Sequence, residues 1–130
     1  MRIAVSISLL ALAAAASTVH AAQPRLRCDV SYAGSVQRIE AQPGADPYTV
    51  PAVDIGGRFL FKAVMVQGLE RIERIGIYVW FDAEPKPVLI QHARYLPPYP
   101  AGELTGEQRL YAGPLERELG YRCTLGEVAP

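Results

Sequence analysis

Few side chains of this sequence combine into a catalytic pattern. Downstream of residue 21 the chain contains a single histidine, His92, and two serines, Ser31 and Ser35. A serine hydrolase needs a serine beside a histidine and an acid, and neither serine lies in a Gly-x-Ser-x-Gly motif. Glu116 and Glu118 could act as an acid–base pair on sugars, but a solvated strand edge is the simpler interpretation. We predict no catalytic residue, and a small hydrolase that uses His92 and a carboxylate is an alternative.

Metal and cofactor sites are not indicated either. A zinc site needs three or four His, Cys or carboxylate ligands, and this sequence offers too few. It has no Asp-x-Asp-x-Asp calcium loop, and the segment DIGGRF lacks the lysine and the helix of a phosphate-binding loop. We therefore predict no metal and no cofactor.

His92 lies in the segment LIQHARY. Strand alternation would place it on the same side as Val88, Ile90 and Arg94. A lone histidine among apolar residues is typical of a hydrogen-bonded core or boundary position, and a pH-sensing role is the alternative.

Two cysteines, Cys28 and Cys123, lie near opposite ends of the chain that follows residue 21. An even number of cysteines in an exported protein favours a disulfide, and no Cys-x-x-Cys spacing indicates a redox pair. Closing so long a loop should stabilise the fold by about 2–4 kcal/mol. Because the Cα atoms of a disulfide lie within about 7 Å, the first and last strands should lie side by side or face to face.

The first residues have the layout of a secretory signal peptide. Arg2 precedes a mostly apolar run from Ile3 to Ala16, and a small-residue segment ends at Ala21, where we expect cleavage. The run is shorter than the roughly 20 residues of a transmembrane helix, although an N-terminal membrane anchor is the alternative. The sequence thus predicts residues 1–21 as a signal peptide and residues 22–130 as a single domain, located in the periplasm or secreted.

The charge of the chain is balanced. It has 13 Lys and Arg residues and 13 Asp and Glu residues, for a formal net charge of zero. Such a surface has no footprint for nucleic acid and no polybasic patch for a membrane, so we expect neither a nucleic-acid partner nor a membrane span after cleavage. An envelope protein is the expected partner. The chain should be a monomer or a weak homodimer, since edge strands of a small sandwich could pair.

Most of the chain after residue 22 has the patterns of β-strands. LRCDVSY alternates apolar and polar residues with a period of two, as in a half-buried strand. VQRIEAQ follows a turn and favours an edge strand. GGRFLFKAVMVQG is apolar on both faces, which indicates a central strand covered on both sides.

Further strands are predicted in RIERIGIYVWFD, PVLIQHARYL, QRLYAG and LERELGYRCTL, between loops rich in proline and glycine. In the last of these, Leu115 and Leu119 should share a face with Cys123. Six to eight strands predict an all-β fold, a small antiparallel β-sandwich of the Ig-like kind, with an open β-barrel as the alternative.

The segment RYLPPY, residues 94–99, holds the candidate contact residues. Pro97 and Pro98 cannot continue a strand ladder and should form a stiff loop. Tyr95 and Tyr99 flank the prolines, and tyrosines are common at contact sites; with Arg94 and the two prolines they are our predicted binding residues. Two alternatives are that the tyrosines cover the open end of the sandwich, or that the loop is an isolated PxxP ligand.

Three segments, VPAVDIGGRFLFKAV, ARYLPPYP and LYAGPLERELGYRC, resemble segments of small secreted proteins of proteobacteria with no assigned reaction. The resemblance covers most of the chain after the signal peptide. It implies export and one disulfide-closed domain, and it implies no reaction, cofactor or site residue. YVWF at Tyr78–Phe81 is also faintly similar to periplasmic lysozyme inhibitors, which are small, β-rich and disulfide-linked.

These observations together predict an exported, non-catalytic β-domain that binds or supports another component of the cell envelope. An inhibitor of a secreted hydrolase such as lysozyme is one alternative, and the small hydrolase based on His92 is another.

Overall fold

The computed structural model of the chain describes residues 14–17 and 23–128, without the side chains of residues 127 and 128. The predicted signal peptide, residues 1–21, lies outside the described residues except for positions 14–17. Within the described ranges, no helix is long and apolar enough to cross a membrane.

Ten β-strands and one 3-10 turn make up the regular structure of the described residues. They are β1 (Gln23–Tyr32), β2 (Ser35–Ala41), β3 (Pro43–Gly44), the 3-10 turn Pro47–Thr49, β4 (Val53–Ile55), β5 (Phe59–Gln67), β6 (Ile72–Phe81), β7 (Val88–Tyr95), β8 (Gly102–Glu103), β9 (Gln108–Ala112) and β10 (Arg117–Val128). Seven of these strands have five or more residues, in agreement with the six to eight that the sequence predicts.

The strands form two sheets. Sheet I has the order β2-β1-β10-β8, with β9 also paired to β10, and sheet II has the order β3-β5-β6-β7, with β4 also paired to β5. Neighbouring strands are antiparallel, except that β3 is parallel to β5. The sheets pack together as a two-layer sandwich, which confirms the predicted fold class over the open barrel. As predicted, β2 lies at an edge.

The core lies between the two sheets because each long strand alternates its side chains. In β1, Leu26, Cys28 and Val30 are fully buried, and the residues between them are exposed. Edge-to-face aromatic contacts connect the sheets, with Phe61 and Tyr121 at a centroid distance of 5.3 Å. The buried cluster is Leu26, Cys28, Val30, Ile55, Phe59, Phe61, Ala63, Met65, Ile72, Ile75, Ile77, Val79, Leu119, Tyr121 and Cys123.

Cys28 and Cys123 form the predicted disulfide. The two residues lie directly opposite each other on β1 and β10, with Cα atoms 4.1 Å apart and a sequence separation of 95. Of the two predicted arrangements, the first and last strands thus lie side by side. The same pairing places Gln23 opposite Val128.

Strand β5 is covered on both faces, as its sequence predicts. Phe59 and Phe61 belong to the core. On the opposite face Val64 is only 1% exposed and Val66 only 8%. Val64 lies opposite Gly76 of β6, and the ring of Tyr78 lies close to the same glycine.

Leu115 does not share the inner face of β10, so this part of the strand prediction is wrong. It lies in the turn between β9 and β10 and is 72% exposed. Gly113 and Glu116 in that turn have positive φ, so the alternation that continues through Leu119 and Cys123 begins only after the turn.

A β-bulge interrupts the pairing of β6 with β7. Val79 lies opposite Gln91, but the next residue, Trp80, lies opposite Leu89. Ile90 is therefore the extra residue of β7, and it packs against the core. Bulges of this kind redirect the side chains that follow them.

The bulge overturns the face predicted for His92. His92 is exposed on the outer face of sheet II, opposite Tyr78, and Arg94 shares that face. Ile90 packs on the inner side, and Val88 lies opposite Phe81, a residue that packs against the core. A strict period of two could not predict this, because the inserted residue shifts the alternation by one.

Candidate functional site

Aromatic side chains from β6 and β7 meet on the outer face of sheet II. Tyr78 and Trp80 are two residues apart on β6, so both point outward, and His92 lies opposite Tyr78 on β7. The ring centroids of Tyr78 and His92 are 4.2 Å apart, and those of Tyr78 and Trp80 are 5.8 Å apart. Both pairs are stacked with an interplanar angle of 13°. We call these three residues the aromatic row.

Lys62 adds a positive charge to this row. It lies opposite Tyr78 on β5, and its Nζ is 5.8 Å from the centroid of the Tyr78 ring. That is within the roughly 6 Å of a cation–π interaction. Tyr78 thus lies between an ammonium group on one neighbouring strand and an imidazole ring on the other.

Gly76 makes room for the ring of Tyr78. A Cβ atom at this position would lie 3.0 Å from Tyr78 Cε2 and 3.2 Å from Val64 Cγ2. Both distances are shorter than ordinary van der Waals contact, so a larger residue would displace the ring. The glycine therefore allows Tyr78 to lean along the strand over the sheet, which also helps to bury Val64.

Three cations share this face. Lys62 lies opposite Tyr78, Arg94 opposite Gly76, and Arg74 opposite Val66. Among the residues that the structure describes, none of the ion pairs includes a residue of sheet II. Two acids belong to sheet II: Asp54 lies at the edge of this face, where its carboxylate accepts a hydrogen bond from the backbone of Gly57, and Glu73 is an exposed residue of β6 beside Arg74. The outer face of sheet II is therefore aromatic and positively charged.

The outer face of sheet I has a different composition. There, arginines lie beside carboxylates on neighbouring positions of the same sheet. The pairs in the described chain are Arg25–Glu40, Arg27–Glu40, Arg38–Asp29, Arg109–Glu107, Arg109–Glu118 and Arg122–Glu103, with nitrogen–oxygen distances from 2.6 to 3.4 Å. The charges of this face are thus largely paired with each other.

The predicted binding residues do not form one contiguous surface. Tyr95 and Tyr99 are half-buried against the core, and the Tyr99 hydroxyl donates a hydrogen bond to the carbonyl of Ile72 at 3.1 Å. Burial raises the pKa of both phenols, and the charge of Arg71 partly offsets this rise in the pKa of Tyr99. The geometry matches the alternative in which the tyrosines cover the open end of the sandwich.

The other members of the predicted set are placed differently. Pro97 is half-buried and Pro98 is exposed in the loop between β7 and β8. Arg94 lies on the outer face of sheet II, directly opposite Gly76 on the neighbouring strand and beside the aromatic row. The structure therefore groups Arg94 with His92, Tyr78 and Lys62 and not with the loop.

The residues that a serine hydrolase would need lie far apart. Ser31 and Ser35 belong to sheet I, and the Ser31 hydroxyl donates a hydrogen bond to the carbonyl of Gly120. His92 is on the outer face of sheet II, so both layers of the sandwich separate it from Ser31. Since packed sheets are about 10 Å apart, this serine cannot pass a proton to His92 directly.

The alternative of a small hydrolase requires a carboxylate beside His92. Within residues 14–17 and 23–128, no carboxylate forms an ion pair with His92. Glu118 pairs with Arg109 on sheet I, and Glu116 lies in a turn. No cluster of three or more His, Cys, Asp or Glu residues in those ranges could hold a metal ion.

The sequence prediction missed Tyr78, Trp80 and Lys62. Their signals were present, since YVWF places Tyr78 and Trp80 on one face, and Lys62 interrupts an otherwise apolar strand face. The cross-strand register that brings His92 onto Tyr78 had no signal in the sequence.

Comparisons of the chain with protein-family models, curated proteins and solved structures find no match. The functional argument therefore depends on the geometry of this surface.

Proposed function

We propose that the protein is an exported, non-catalytic β-domain that binds another protein of the cell envelope through the outer face of sheet II. The observation that carries the proposal is the aromatic row with Lys62 and Arg94 beside it. Aromatic residues and arginine are enriched at the centres of protein interfaces. A solvent-facing sheet surface with no partner is more often polar.

The charges on this face indicate the chemistry of the partner. Lys62, Arg74 and Arg94 have no ion-pair partner among the described residues, so an acidic surface would complement them. The rings are held in place by their neighbours on three strands, which lowers the entropy lost when a partner binds. We therefore expect a partner whose contact surface carries Asp or Glu side chains.

Export is supported by the predicted signal peptide together with the disulfide between β1 and β10. Structural disulfides form and persist in oxidising compartments such as the periplasm and the extracellular space. The partner should accordingly be a protein of the same compartment.

The test is a crosslinked capture of partners from the native envelope with the tagged protein, followed by titration of the captured partner in purified form. Tyr78→Ala should weaken the titrated binding by roughly 10-fold or more, as expected for an interface aromatic. The matched control is Tyr111→Ala, which removes a tyrosine that is 59% exposed on the outer face of sheet I. This control should bind as the wild type does.

A second variant separates this surface from the proline loop. Tyr99→Ala should lower the melting temperature, because it removes a half-buried ring and its hydrogen bond, and should leave the affinity unchanged. Equal affinity of the wild type and Tyr78→Ala would reject the outer face of sheet II as the binding surface. A captured hydrolase whose turnover falls on binding would identify the protein as an inhibitor.

A further inference from the structure

An apolar slot opens at the end of the sandwich where β1 begins and β10 ends. Its volume is about 440 Å³, within the roughly 300–1,000 Å³ of small-molecule sites. Sheet I, sheet II and the proline loop each provide part of the wall. The lining residues are Pro24, Ile72, Tyr99, Pro100, Ala101, Leu125 and Gly126.

The wall of the slot is mainly apolar. No charged side chain of the described residues lines it. Its one hydroxyl, on Tyr99, already donates to the carbonyl of Ile72, so the ring is fixed and its polar atom is used. An apolar group of a ligand is therefore the chemistry that matches most of this wall.

A positive charge lies near the slot. Arg71 directly precedes the lining residue Ile72 in the chain, and its positive charge partly offsets the rise that burial causes in the pKa of Tyr99. Glu70 precedes Arg71 and Glu73 lies at the start of β6, but neither forms an ion pair with Arg71. Arg71 is exposed and available to an anion.

We propose that this slot binds the alkyl chain of a free fatty acid, with the carboxylate of the ligand at Arg71. The apolar wall takes the chain, and the exposed guanidinium takes the charge that the wall would exclude. The site is distinct from the aromatic row and does not depend on the proposed protein partner. It gives Tyr99, one of the residues that the sequence singled out, a place in the wall of a ligand site.

The first test is a chain-length series. Sodium hexanoate, octanoate, decanoate and dodecanoate, each below its micelle concentration, would be titrated into the protein by calorimetry. Affinity should rise about fourfold for each added methylene, the factor expected for a buried CH2 group, and should level off once the slot is full. Amide shifts in NMR spectra should move at Ile72, Tyr99 and Leu125.

The second test concerns the charge. Arg71→Gln should weaken decanoate binding about tenfold, as expected for loss of a charge-assisted hydrogen bond. The matched control is Arg38→Gln, an exposed arginine on the outer face of sheet I, which should leave the affinity unchanged. Decyl maltoside, with the same chain length and no charge, should bind equally to wild type and Arg71→Gln.

Other results would overturn the proposal. An affinity that does not depend on chain length would exclude the slot as an alkyl site, and equal binding of decanoate and decyltrimethylammonium would exclude the role of Arg71. Binding to phosphatidylglycerol vesicles without binding of free decanoate would assign this end of the sandwich to a bilayer surface. Burial of the slot in a dimer, seen as concentration-dependent sedimentation that decanoate does not reverse, would assign it to a second copy of the chain.

Discussion

The outer faces of the two sheets differ in what they leave for other molecules. On sheet I, Asp29 pairs with Arg38 and Glu40 contacts both Arg25 and Arg27, so the charges are matched within the sheet. On sheet II, Lys62 and Arg94 lie beside stacked rings, and neither forms an ion pair within the part of the chain that the structure describes. Both faces are antiparallel, solvent-facing surfaces of one small sandwich.

The face of sheet I shows that a solvent-exposed surface rich in charges need not favour binding of another protein. A strand that alternates arginine with carboxylates provides its neighbour with partners, and the resulting surface gains little from contact with another protein. A face that collects cations around aromatic rings keeps its binding capacity for a partner. The sheets differ also in their interior, since only sheet I contains a covalent crosslink.

The largest effect should come from removing that crosslink. We expect the double variant Cys28→Ala, Cys123→Ala to lose about 2–4 kcal/mol of unfolding free energy, because the unfolded chain regains the freedom of a 95-residue loop. At about 4–8 °C per kcal/mol, the melting temperature measured by calorimetry should fall by roughly 8–32 °C.

Hydrogen exchange can show whether the two sheets respond differently to this change. The amides of β1 and β10 should lose protection before those of β5 and β6, which the disulfide does not join. Uniform loss of protection in both sheets would contradict this distinction and would indicate a single cooperative unit.

Charge reversal should have the next largest effect. The variant Lys62→Glu, Arg94→Glu should weaken binding of the acidic partner by roughly 10–100-fold, with little change in melting temperature. The control Arg38→Glu, Arg122→Glu reverses two charges on sheet I and should leave the affinity unchanged while it breaks two ion pairs. Comparable losses in both variants would show that overall charge, not the face, determines binding.

Gly76→Ala should disturb the aromatic row more modestly. The added methyl group would push against Tyr78 and Val64, and we expect a net loss of about 1 kcal/mol after the entropic gain of replacing glycine. The near-ultraviolet circular dichroism of Trp80 and Tyr78 should change as the stack shifts. Gly44→Ala is the control, since a methyl group there meets no neighbour within 4 Å; an unchanged spectrum in Gly76→Ala would mean that the ring does not rest on the glycine.

The smallest effect concerns a link between the sheets. Tyr121 of β10 donates its hydroxyl proton to Gln91 of β7, and burial, together with the nearby Tyr95, raises the pKa of this phenol well above its usual value. In the unfolded chain the phenol ionises from about pH 10, whereas the folded protein keeps it neutral. The stabilisation is therefore complete below pH 10 and is lost as the pH rises above it.

Denaturant titrations can measure this pH dependence. Between pH 9 and 10.5 the wild type should lose roughly 0.8 kcal/mol more stability than Tyr121→Phe, which has no phenol to ionise. Parallel curves for the two proteins would mean that the phenol of Tyr121 ionises equally in the folded and unfolded states.

Local patterns were sufficient to predict much of the fold. Alternation in LRCDVSY predicted the buried side of β1, and two cysteines near the chain ends predicted that β1 and β10 are neighbours. The bulge at Ile90 had no such pattern, because any residue can be the extra one and its position is set by packing against the core.

The candidate site was less predictable for the same physical reason. Lys62, Tyr78 and His92 come from three different strands, and only the register between those strands makes them neighbours. The loop tyrosines had the opposite problem, since a tyrosine can pack its ring inward or present it to a partner. Their sequence context showed a stiff loop but not the direction of the rings.

The antiparallel pairing of Gln23 with Val128 places both ends of the described chain side by side. A short linker could therefore join them, and the chain could be reopened at the Ala33–Gly34 turn to give a circular permutant with the same strand pairs. For the same reason the domain can be inserted into a surface loop of another protein without being stretched. The inserted domain would then keep both of its outer faces accessible in the protein that receives it.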